Sequence, residues 1–169
     1  MNENLLAFYM GYAFSQAINV QHKMAAKELM VPFVIYWQGN HLDIVAYPAA
    51  TQAEAVEQAN VARGQKAAGT TGWSSSREGL MAQNDGTKLD ILLVEGWVPE
   101  LSEPLEMFVY YRQEPFRLIQ GFFWKSHPEA RKDPQSFMAE FKRGMLIHPF
   151  GRECLDYVDH ADPARVTAG

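Results

Sequence analysis

Between positions 148 and 160 the chain crowds together side chains with acid–base, nucleophilic or metal-ligating capacity: His148, Glu153, Cys154, Asp156, Asp159 and His160. A zinc site wants several His or Cys ligands at short regular spacing, and this stretch has neither a Cys-x-x-Cys nor a His-x-x-x-His pair. Cys154 with His148 would make a nucleophile and its base, but such a pair is defined by mutual geometry, which spacing alone does not supply. The expectation is a buried structural cysteine, surface histidines, no metal and no cofactor.

The segment Gly64-Gln65-Lys66-Ala67-Ala68-Gly69-Thr70-Thr71-Gly72 has the residue types of a phosphate-binding loop. That chemistry needs Gly-Lys-Ser/Thr directly before a helix, so that backbone N–H groups converge on the phosphates. Here the lysine lies between the glycines and a strand is predicted to follow, so the segment reads as a connector.

Two other groups carry binding chemistry. In the loop Trp97–Pro104, two prolines stiffen the backbone, which lowers the entropy lost on binding. Trp97 and Leu101 are its apolar anchors and Glu100, Glu103 and Glu106 its acidic rim, the composition of a contact patch for a basic protein partner. A strand face that carries Asp90, Glu95, Glu106, Arg112 and Arg117 among aromatics offers an alternative. There Glu106, Tyr110, Arg112 and Arg117 would line a polar pocket for a small ligand. Cross-strand ion pairs on a solvated face explain the same charges without function.

Bulk properties narrow the classes. A net charge of −5 disfavours nucleic acid, which needs a basic surface. A single cysteine precludes an internal disulfide and fits a reducing, cytoplasmic compartment. The apolar run Leu5–Val20 contains Ser15, Gln16 and Asn19 and is too short and interrupted to span a bilayer. At 169 residues the chain reads as one domain over residues 1–158 and a polar, frayed tail over 159–169.

The elements that must position these residues follow from periodicity. Strands are predicted at Thr87–Val98, Leu105–Arg112 and Arg117–Lys125, where side chains switch faces at every residue. Pro99–Pro104 and Gln113–Phe116 are hairpin-length connections, so the strands pair antiparallel. Asn84-Asp85-Gly86 turns a preceding strand, Trp73–Gln83, into the first of them and completes a four-strand meander. Upstream, the apolar run Pro32–Gln38, the turn Gly39-Asn40 and the alternating His41–Tyr47 form a hairpin with Leu42, Ile44 and Ala46 on one face.

Helices are predicted at Asn4–Glu28, at Gln52–Arg63 and from Pro134 to Pro149. Thr51 and Glu54 make a capping box, and Gly64 is the expected C-terminal cap. Ala53, Val56, Ala59 and Ala62 give that helix small inward residues. Asp133-Pro134 is a helix start, with Phe137, Met138, Phe141 and Met145 as its apolar stripe. A polar loop, Ser126–Lys132, precedes it, and Leu155, Tyr157 and Val158 are available to dock after it. In the first helix, Leu5, Phe8 and Tyr12 form a second stripe beside Leu6, Tyr9, Ala13 and Ala17. One sheet face cannot cover both. Another helix of the same chain is the first expectation; a second subunit, making a homodimer through this helix, is the other.

The class is therefore α+β: a largely antiparallel sheet, a hairpin plus a four-strand meander, flanked by helices on one face. The functional expectation is a non-enzymatic cytoplasmic interaction module (an adaptor, an inhibitor or an immunity-type protein) that uses the acidic, aromatic loop. The alternative is a small-ligand-binding domain or enzyme with a pocket between sheet and helices.

Overall fold

In the computed structural model, which describes residues 3–66, 69–125 and 133–163, the chain runs α1 (Glu3–Gln21), β1 (Phe33–Gln38), β2 (His41–Ala46), α2 (Gln52–Lys66), β3 (Gly72–Ala82), β4 (Lys88–Trp97), β5 (Leu105–Gln113), β6 (Phe116–Lys125), α3 (Pro134–Ile147) and α4 (Gly151–Asp159). The predicted loop 126–132 and the tail past residue 163 lie outside the described residues, as do Ala67 and Ala68. The strands form one antiparallel sheet in the order β2-β1-β3-β4-β5-β6, so the fold is α+β.

Local signals set the hairpins and caps. Gly39 turns β1 into β2 at φ +59°, a left-handed conformation that favours glycine. The capping box closes in both directions at 3.2 Å, from Glu54 N–H to Thr51 Oγ1 and from Thr51 N–H to Glu54 Oε2. Asp133 accepts from Ser136 N–H at 3.0 Å, with proline at the first helical position.

Three expectations are corrected. First, α1 ends at Gln21 rather than near Glu28. The Gln113 amide, from β5, donates to Gln21 O at 2.9 Å and to Met24 O at 2.5 Å, and the exposed Ala25–Leu29 segment buries no face that would extend the helix. Second, α2 runs through Gly64 to Lys66, because glycine inside a helix costs only about 1 kcal/mol relative to alanine; the left-handed glycine comes later, at Gly69. Third, helices cover both faces of the sheet. On one face α2 sets Ala59 against Val34, Tyr36 and Trp73.

On the other face α1 is the middle layer. Met10, Phe14 and Ile18 pack among Ile35, Leu92, Val94 and Met107 of the sheet, and α3 adds Phe137, Phe141 and Met145. The helix expected to cover the second stripe is thus α3 of the same chain. Two glycines let them meet. A Cβ on Gly11 would stand 1.9 Å from Phe141 O, and one on Gly144 would stand 2.0 Å from Phe8 O. The serines of β3 are reconciled with burial by hydrogen bonds: Trp37 Nε1–H donates to Ser74 Oγ at 3.1 Å, and Ser76 Oγ donates to Leu93 O at 2.8 Å. The polar stretch past Asp159 is held as far as Asp162, whose N–H donates to Leu118 O and whose C=O accepts from Gln120 N–H, both at 2.8 Å.

Candidate functional site: an open sheet edge

The acidic loop does not present its apolar pair. Leu101 is buried. Trp97 is half-buried, and its Nε1–H donates to Leu101 O at 2.9 Å, so the indole closes its own loop. The ring also lies near-parallel to Trp73 at 6.5 Å. Arg63 stacks 4.4 Å over Trp73 and reaches Glu95 at 2.6 Å and Ser75 Oγ at 3.1 Å, a buried tie between α2 and the sheet. Leu101, expected as a contact anchor, is corrected to a core residue: its side chain belongs to the main core cluster with Leu6, Met10, Val98 and Leu105. Glu100 and Glu103 stand exposed and Glu106 half-buried.

The alternative quartet does not converge. Glu106 and Arg112 sit six residues apart on β5, about 20 Å along a strand that rises ~3.3 Å per residue. Tyr110 is buried, edge-on to Phe108 and to the exposed Phe123. Arg112 faces Arg117 in register and reaches Asp162 at 3.3 Å. A cleft of about 610 Å³ does lie between α2 and β3, bordered by Ala53, Val56, Arg77, Glu78, Leu80 and Asp90. Both oxygens of Glu78 are engaged, by Met30 N–H at 3.0 Å and Tyr111 O–H at 3.1 Å. Burial raises the Glu78 carboxyl above its ordinary range.

The nucleophile candidates are structural. Cys154 is fully buried, which pushes its thiol up to about 12. His148 is also buried. Its Nδ1 accepts from Phe150 N–H at 3.0 Å, which leaves Nε2–H to donate to Gln16 Oε1 at 2.7 Å; burial lowers its pKa and favours this neutral form. His160 pairs with Asp156 on α4. Among the described residues no group of three or more His, Cys, Asp and Glu is placed to hold a metal. In the connector, Thr71 Oγ1 is hydrogen-bonded to Tyr9 OH at 2.8 Å and Trp37 O at 3.0 Å, which pins the segment to the first hairpin instead of leaving a cradle. No described helix is long and apolar enough to cross a membrane.

What the strand order exposes is β2. It lies at the sheet edge, and α1 crosses the sheet without covering it. Nine large apolar side chains are exposed among the described residues, and five of them (Leu29, Val31, Leu42, Ile44 and Ile147) border two clefts along the α1–β2 seam. One, about 530 Å³, is floored by Val20, Met24 and Phe33; the other, about 330 Å³, by Phe8, Tyr12 and Trp37. Leu42 and Ile44, two apart on β2, share a face and bridge them. The floor is well supported: Trp37 stacks on Tyr9 at 4.3 Å and meets Tyr12 edge-on at 5.4 Å. The opposite face of β2 borders a third cleft, about 450 Å³ and mixed in character, where Gln38, His41, Asp43 and Gln65 meet Tyr36 and the edge of Leu42.

Sequence reasoning had placed Leu42, Ile44 and Ala46 on one strand face. It had no signal that this face would stay open, because that depends on where α1 crosses. The chain matches no protein-family model, no curated protein and no solved structure.

Proposed function

We propose that this protein is a non-enzymatic interaction module that binds an extended, apolar segment of a partner protein by strand addition to β2. The observation that supports this most is the conjunction at β2: an unpaired strand edge with Leu42 and Ile44 open to solvent beside an apolar seam. An edge strand offers unpaired N–H and C=O groups that an extended backbone completes, and flanking clefts then receive alternate side chains. Proteins ordinarily blunt such edges, so a contiguous apolar one reads as an interaction site. The exposed Glu100 and Glu103 add to the net charge of −5 and favour the approach of a basic partner. A buried, unreactive thiol as the sole cysteine suits a cytoplasmic setting.

The test is to pan a displayed library of random peptides against the full chain and against Ile44→Asp. The reading expects enriched sequences whose binding is lost in Ile44→Asp while that variant still melts cooperatively as a folded protein. Enrichment indifferent to Ile44, or no enrichment, overturns it.

A further inference from the structure

The two faces of β2 differ in chemistry, and an added strand must match both. Residues directly opposite each other in a sheet share a face. A residue set against Leu42 or Ile44 therefore points toward the apolar seam, while one set against Asp43 points toward the mixed cleft on the other face, where the carboxylate lies. Asp43 is exposed, and among the described residues no cation pairs with it. Of the described residues that border its cleft with it, Tyr36, Gln38, His41, Leu42, Gln65 and Thr70, none is a lysine or arginine. Among its described residues the cleft thus presents one carboxylate beside hydroxyl, amide and imidazole groups and the edge of Leu42, with room for a long side chain.

We propose that the segment bound at β2 carries an apolar–basic–apolar triplet, with Lys or Arg opposite Asp43 between two apolar residues opposite Leu42 and Ile44. This rests on the strand-addition reading and adds the specificity of that site. Opposite charges across an antiparallel pair contribute only modestly, so the basic residue sets preference while backbone and apolar contacts set binding itself. A long cationic side chain also lays its methylene stem along the strand while its head reaches the carboxylate.

Two capped peptides test it, Ser-Ile-Lys-Ile-Thr and Ser-Ile-Gln-Ile-Thr, titrated into the isotopically labelled full chain while amide resonances are followed. Both are expected to shift the amides of His41–Ala46, with the lysine peptide binding about threefold tighter at low salt and the advantage shrinking as salt rises. Asp43→Asn, an exposed substitution checked by its melting temperature, should equalise the two peptides and leave the glutamine peptide's affinity unchanged. If both peptides bind at β2 equally and Asp43→Asn changes neither, the basic preference is wrong and strand addition stands. If neither peptide shifts the β2 amides, strand addition falls and takes this proposal with it. If sedimentation shows copies pairing through β2, the occupant is a second copy and the triplet is overturned.

Discussion

The sheet has two edges, and they are finished differently. At β6 the pairing with β5 shifts register between Phe108 and Tyr110, Gln120 takes a positive φ of 61°, and the chain returns to lay Asp162 against Leu118 and Gln120. Irregular backbone and a covering segment are the devices by which proteins keep an edge from recruiting strands. At β2 the register is regular over all six residues, and no described segment pairs with the outer side. One fold therefore shows both treatments, and the unprotected edge is the one beside apolar clefts. If exposure were mere tolerance, the apolar residues would be scattered, whereas five of the nine exposed among the described residues border one seam.

The sharpest way to break this contrast is to place the same substitution on both edges. Leu118 on β6 is buried, so Leu118→Asp forces an unpaired carboxylate into the core and should cost at least about 3 kcal/mol. For a chain of this size that is a fall of roughly 10 °C in melting temperature. Ile44→Asp, on a partly exposed strand site, gives up strand propensity and some burial and should cost only about 1 kcal/mol. Similar melts for the two would mean that β2 is as buried as β6.

A smaller effect is expected from uncovering β6. Asp162→Pro deletes the N–H donated to Leu118 O and the carboxylate that reaches Arg112, together a loss of about 1–2 kcal/mol. The Gln120 amide should then exchange with solvent faster. Unchanged exchange there would show that the returning chain does not protect this edge.

The wall of the open seam can be probed with pH. Glu78 holds Met30 N–H between Leu29 and Val31, and burial raises its carboxyl above the unfolded value. A raised carboxyl stabilises the fold fully below the ordinary carboxylate range, and that contribution is lost as pH rises through the folded value. The melting temperature of the parent relative to Glu78→Gln should therefore decline as pH rises out of the ordinary carboxylate range. A difference that is flat, or that grows with pH, would contradict the assigned direction.

The smallest effect is assigned to the acidic loop. Glu100→Lys with Glu103→Lys should leave stability within about 0.5 kcal/mol and slow the association of a basic segment at low salt. A large rise in dissociation rate instead would return the contact surface to that loop.

How much of this was legible in the sequence depended on distance along the chain. The strands were, because Leu105, Met107, Val109 and Tyr111 mark a face by local period alone. The capping box at Thr51 and Glu54 and the helix start at Asp133 are equally local. The end of α1 was not, because the side chain that takes its last carbonyls is Gln113, on β5. Nor was the burial of Leu101, which depends on the loop turning its side chain into the core cluster of α1 residues, far away in the chain, while Trp97 holds the Leu101 carbonyl. The open edge lay furthest from sight. Leu42 and Ile44 look like any half-buried strand face, and only the path of α1 leaves them uncovered.

The crossing of α1 and α3 at Gly11 and Gly144 bears on that edge in a further way. With backbone against backbone, neither helix can slide or rotate without a clash that no rotamer change relieves. The α1 side of the seam therefore behaves as a fixed wall rather than an adjustable one. Ordering entropy on docking then falls on the incoming segment and on the few exposed side chains of β2, which favours a partner already extended before it arrives.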